Sequence, residues 1–126
     1  MRLENLAILA ALALVATPLA AAEGRYVVCD NGLRCVKAPC PSSAIRNLDT
    51  GETFKSVSPD ISGLSEADRQ RIRDEDALYY GRLVLNGHVE PRQESVAGKE
   101  ARRPTLVITG IVGRASAGDR EHCRGS

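Results

Sequence analysis

The chain has 126 residues, with 17 Lys or Arg against 16 Asp or Glu and a formal net charge of +1. That balance provides no basic footprint for nucleic acid or for an anionic membrane surface. One Phe, three Tyr and no Trp mean that any core is built mainly from Val, Ile, Leu and Ala.

The chain starts Met1-Arg2-Leu3-Glu4-Asn5, then runs apolar through residues 6–14 and on to Ala20-Ala21-Ala22. A charged start, an apolar middle and small residues at the end are the layout of a secretory signal peptide. Cleavage after Ala22 would place Ala20 and Ala22 at the −3 and −1 positions. A retained anchor is the alternative. The apolar run is short for a span of about 20 residues, and Pro18 favours cleavage. The expectation is a signal peptide over residues 1–22 and one exported domain over 23–126, periplasmic or secreted, without a membrane anchor after cleavage. No cysteine stands at a lipoprotein cleavage position.

Arg25-Tyr26-Val27-Val28-Cys29 is rich in strand formers. Asp30-Asn31-Gly32 predicts a tight turn, with Leu33-Arg34-Cys35-Val36 returning as a second strand. Residues 43–48 and 52–57 predict a further hairpin about the turn Asp49-Thr50-Gly51. Ser58-Pro59-Asp60 opens a predicted loop that runs to Gly63. Ser65 is an N-cap candidate for a helix over residues 66–78, ended by Gly81. Residues 82–90 predict a strand bent at Gly87. The charged stretch from Pro91 to Pro104 reads as an exposed loop, and residues 105–112 as a buried strand.

Four cysteines in an exported domain allow three pairings. A Cys29–Cys123 bridge would close nearly the whole domain and contribute about 4–5 kcal/mol through loop entropy. A Cys35–Cys40 bridge closes a very short loop and would shape it instead. The prolines in Cys35-Val36-Lys37-Ala38-Pro39-Cys40-Pro41 suit such a rigid loop. This pair of bridges is favoured over the other pairings. Zinc, with His122 beside Cys123, is the rival reading. The spacing lacks the Cys-x2-4-Cys pairs of zinc knuckles, so neither a metal nor another cofactor is expected.

Catalytic patterns are sparse. His88 lies in a strand pattern near Glu90, where an ordinary surface role is the simpler reading. There is no Gly-x-Ser-x-Gly elbow. Asp74-Glu75-Asp76 point in different directions on a helix and form no single ligand set. The remaining candidate is a binding loop, Val36-Lys37-Ala38-Pro39, framed by Cys35 and Cys40. A rigid loop presenting Lys37 would suit a protease cleft, because pre-organisation lowers the cost of binding.

Tyr26-x-Val28 followed by Arg34-Cys35-x-x-x-Pro39-Cys40, with Gly81-Arg82-Leu83-Val84 and Leu106-Val107-Ile108-Thr109 further on, resembles small exported bacterial domains of unknown function. Those domains carry an N-terminal Cys-x4-Cys loop; Cys29 and Cys123 depart from their pattern. The resemblance implies no activity and no catalytic residue. The expected fold is α+β: a small curved antiparallel sheet or partial barrel with one helix, stapled by disulfides. The expected role is a non-enzymatic binding or structural module, with an envelope protein as a possible partner and no nucleic acid. The alternative is a disulfide-framed inhibitor of an extracytoplasmic protease.

Overall fold

The computed structural model describes residues 23–36, 40–96 and 98–123. The proposed signal peptide and Lys37, Ala38 and Pro39 lie outside them. Five strands, β1 (Gly24–Asp30), β2 (Ser43–Asn47), β3 (Thr53–Asp60), β4 (Gly81–Val96) and β5 (Lys99–Arg114), form a closed barrel in the order β1-β2-β3-β5-β4. Helices α1 (Glu66–Asp74) and α2 (Ala77–Tyr80) fill the connection from β3 to β4. This is the Greek-key barrel called the OB-fold. Closure corrects the expected partial barrel, and one pair corrects the all-antiparallel sheet: β3 runs parallel to β5, with Pro59 opposite Leu106. The other pairs are antiparallel, with β1 held between β2 and β4.

Alternation along the strands builds the core. Tyr26, Val28, Ile45, Val57, Leu83, Leu85, Leu106 and Ile108 point inward, and Leu64, Ile72 and Ala77 of the helical connection join the same cluster. The opposite face of β1 is buried too. Val27 and Cys29 pack with Val84 and Cys123 in a second cluster, supported by Ala44, Leu48 and Ala115. The C-terminal tail thus lies over the outside of β1 and β4, fixed by the Cys29–Cys123 disulfide. Cys35 and Cys40 form the second disulfide.

Several elements differ from the expectation. Residues 33–36 form no strand. The Asp30 carboxylate accepts from the Gly32 amide and binds Arg34, while the Asn31 side chain donates to the carbonyls of Pro41 and Lys55. These local bonds turn the chain away from β1 at residues 31–34. Ser58-Pro59-Asp60 extends β3 instead of leaving it, because there β3 has parted from β2 and pairs only with β5. A proline is tolerated where its missing N–H faces no partner strand.

The expected single helix is broken. Asp76 takes φ 48° between α1 and α2, a left-handed conformation that Asp tolerates. Gly81 ends α2 at φ 68°, where a side chain would be strained. The expected loop over Pro91 to Pro104 is a β4–β5 hairpin arm, paired out to Val96 opposite Lys99. Gly87 does mark a register shift in β4, and a Cβ there would strike the Val107 carbonyl.

The two disulfides should contribute unequally. Cys29–Cys123 spans 94 residues and Cys35–Cys40 spans 5. In urea unfolding, the Cys29→Ser/Cys123→Ser variant should lose about 4–5 kcal/mol. The Cys35→Ser/Cys40→Ser variant should lose clearly less. Equal losses would show that the short loop is part of the packing.

Candidate functional site

OB barrels commonly bind oligonucleotides or oligosaccharides on the face of strands 2 and 3, between the β1–β2 and β4–β5 loops. Here the C-terminal tail borders that face. The His122 Nε2 donates to the Val27 carbonyl at 3.1 Å, and Glu121 lies 3.7 Å from Arg46. Asp30, Asn31, Ala44, Thr53, Lys55 and His122 line a depression of about 310 Å³. The lining residues include no Phe, Tyr or Trp, and His122 is the one ring among them, so the depression lacks the row of aromatics on which single-strand binders stack successive bases. Burial pushes the His122 pKa down. The hydrogen bond of Nε2 leaves Nδ1 as the acceptor of the neutral ring, and it is buried without a partner among the described residues.

The ligand atoms of Cys29, Cys123 and His122 lie within 4.8 Å of one another. The two sulfurs are bonded to each other, so this cluster offers no pair of thiolates. In the candidate loop, Val36 is fully exposed. Lys37, Ala38 and Pro39 fall outside the described residues. Ahead of the loop in the chain, Arg34 pairs with Asp30 at the end of β1, at 3.0 Å.

A second depression, a cleft of about 510 Å³, lies between the end of β3, helix α1 and the β4–β5 arm. Three arginines line it. Arg69 and Arg73 are one helical turn apart and share a face of α1. Glu66 accepts from both, at 2.7 Å from Arg69 and 3.1 Å from Arg73, and so fixes their heads side by side. Arg69 also donates to the Ser62 carbonyl. Ser65 caps α1 by accepting from the Asp68 amide at 3.2 Å, which sets where these side chains leave the helix.

Arg92 enters from β4. Its guanidinium meets Asp60 at 2.6 Å and Glu90 at 2.9 Å. Hydrogen bonds from Ser62, and then Arg92, lower the Asp60 pKa to about 2. Asp60 raises the Arg92 pKa in turn. Ser58 and Thr105, opposite each other in the parallel β3–β5 pair, complete the polar lining. Thr105 is 3% exposed, and its Oγ1 has no hydrogen-bond partner among the described residues. A buried hydroxyl left unpaired costs about 1–3 kcal/mol, so it calls for an explanation.

Sequence reading did not single out this cleft. Arg69 and Arg73 fall in the predicted helix over residues 66–78, and Arg92 in the stretch from Pro91 to Pro104 that reads as loop. The i,i+4 arginine pair behind an N-cap was the available signal. The remaining candidates are structural in geometry. His88 lies between Glu23 at 2.8 Å and Glu90 at 3.4 Å. Glu75 pairs with Arg71 and Arg114, whereas the Gln70 side chain donates to Asp74. No helix of the described residues is long and apolar enough to cross a membrane.

Compared with known proteins, the chain matches no protein-family model, no curated protein and no solved structure.

The Asp60 linkage is measurable. Its folded pKa lies below the ordinary 3.8, so its stabilisation is present above that value and is lost as pH falls through about 2. Arg92 is 41% exposed, and solvent screening holds the contribution to about 1 kcal/mol. Asp60→Asn should therefore be less stable than wild type by about 1 kcal/mol at pH 7. The gap should close between pH 4 and pH 2 in urea unfolding series. A gap independent of pH would show that Asp60 acts through packing alone.

Proposed function

We propose that this chain is a non-enzymatic, exported binding module whose ligand site is the arginine-lined cleft between α1 and β4. One observation carries the reading: three guanidiniums and an unpartnered buried hydroxyl converge on one open depression. The arrangement holds donors in place without a paired nucleophile and base. Glu66 and Asp60 orient the arginines, which supports a role in recognition. The barrel suits a binding role, because a ligand site on helix and strand is held by a packed core.

The export reading draws support from two disulfides, which persist in oxidising compartments. The signal-like start of the chain points the same way. N-terminal sequencing of the exported protein should begin at Glu23 or within a residue or two of it. Membrane-bound protein that still starts at Met1 would refute cleavage.

The binding reading is tested by capture. Wild type and a cleft-filling Ser62→Trp variant are incubated with envelope extract and examined by native mass spectrometry, with circular dichroism to confirm that the variant folds. A small molecule retained by wild type and lost from the variant supports the cleft. Equal retention places the site elsewhere. Capture of a protease through an intact Cys35–Cys40 loop would favour the inhibitor reading instead.

A further inference from the structure

We propose that the cleft takes the oxyanion head of a small molecule, a phosphate or carboxylate group, between Arg69 and Arg73 of the helix and Arg92 of the strand, with Thr105 as its buried contact. The inference rests on the cleft being the ligand site, and it names what that site recognises.

Charge alone does not argue for it. Arg69, Arg73 and Arg92 face Glu66, Asp60 and Glu90, so the three cations and three carboxylates balance. Unused donors do argue for it. A guanidinium carries five N–H donors in a planar fork. Arg69 uses one Nη1 bond to the Ser62 carbonyl and one Nη2 bond to Glu66. Arg73 bonds Glu66 and Gln70 through Nη2 alone. Both therefore keep N–H groups beyond these bonds, on heads already fixed by Glu66. Such donors match the oxygens of phosphate and carboxylate.

Asp60 lines the cleft and would repel an approaching anion if it stood alone. Its carboxylate is occupied by Arg92 and by the Ser62 amide, 2.8 Å away. It thus anchors the third guanidinium. Thr105 supplies the independent observation. Thr105 lines this same cleft, and its buried Oγ1, with no partner among the described residues, has an open donor and open acceptor positions. An oxyanion with several acceptor sites would take that hydroxyl's proton in a hydrogen bond while its other oxygens face the arginines. The volume, about 510 Å³, admits a small metabolite-sized molecule around such a head.

The test is calorimetric titration of the exported protein with inorganic phosphate, citrate and glucose. Phosphate, citrate or both should bind saturably, with Kd of about 1 mM or tighter, and glucose should not. Which anion binds distinguishes a phosphorylated from a carboxylated ligand. Arg69→Gln/Arg73→Gln should weaken the anion by about ten- to hundredfold. Thr105→Val should weaken it by about tenfold while leaving the unfolding midpoint of the unligated protein unchanged or raised, because it removes an unpaired hydroxyl. The valine variant keeps the test decisive if the arginine variant fails to fold. Anion binding unaltered in Thr105→Val, or equal binding of glucose, overturns the inference. If neither anion binds while the Ser62→Trp variant still loses a captured molecule, the oxyanion falls and the cleft stands. If that capture also fails, both fall.

Discussion

The Cys29–Cys123 bond holds the tail on β1, and most of the unusual burial in this small domain follows from it. The strand shows its even-numbered residues Tyr26 and Val28 to the barrel interior. Its odd-numbered Val27 and Cys29 would face water without the tail. With Cys123 bonded to Cys29, that second face becomes a small core of its own. The bond also restricts its neighbours. A Cβ on Gly81 would come within 3.0 Å of the Cys123 sulfur and 3.2 Å of Val27, so the start of β4 must be glycine for space as well as for its positive φ. A chain with four aromatic residues thus compensates for a thin interior by burying one strand twice.

The cleft depends on a different part of the fold. β3 leaves β2 after Val57 and finishes alongside β5, which brings Ser58 opposite Thr105 and carries Asp60 to the base of the arm. The chain then enters α1, whose first turn holds Glu66 and whose next turns hold Arg69 and Arg73. Arg92 arrives only because β4 continues past the point where β1 stops pairing with it. The same barrel closure that organises the core therefore gathers residues from three separate segments into one polar depression.

Local chemistry was legible in the sequence, and long-range pairing was not. The Ser65 cap, the Gly81 stop and the Gly87 irregularity all follow from properties of single residues. The hairpin of residues 43–57 follows from alternation about one turn. Pro59 was misleading, since whether a strand tolerates proline depends on which side has a partner. Asp76 was invisible, because no local pattern marks a helix that must break to feed β4. The charged stretch after Pro91 lacks an apolar stripe, since as an arm beyond the barrel it has no core to face. With that arm read as loop, Arg92 had no place beside the helix arginines, and the cleft was missed.

The arm has two strands and two open edges. Among the described residues, β4 past Gly87 has no partner strand but β5, and β5 before Thr105 none but β4. Such edges invite another molecule's strand to add by hydrogen bonding. Pro91 and Pro104 stand directly opposite each other where the arm leaves the barrel. Proline persists in a ladder only with its missing N–H turned away from the paired strand, so each removes a donor from an outer edge. Arg102 and Arg103 add like charge along the same short stretch. The arm is thereby protected against edge-to-edge stacking, which lets a long hairpin protrude from the barrel without seeding aggregates.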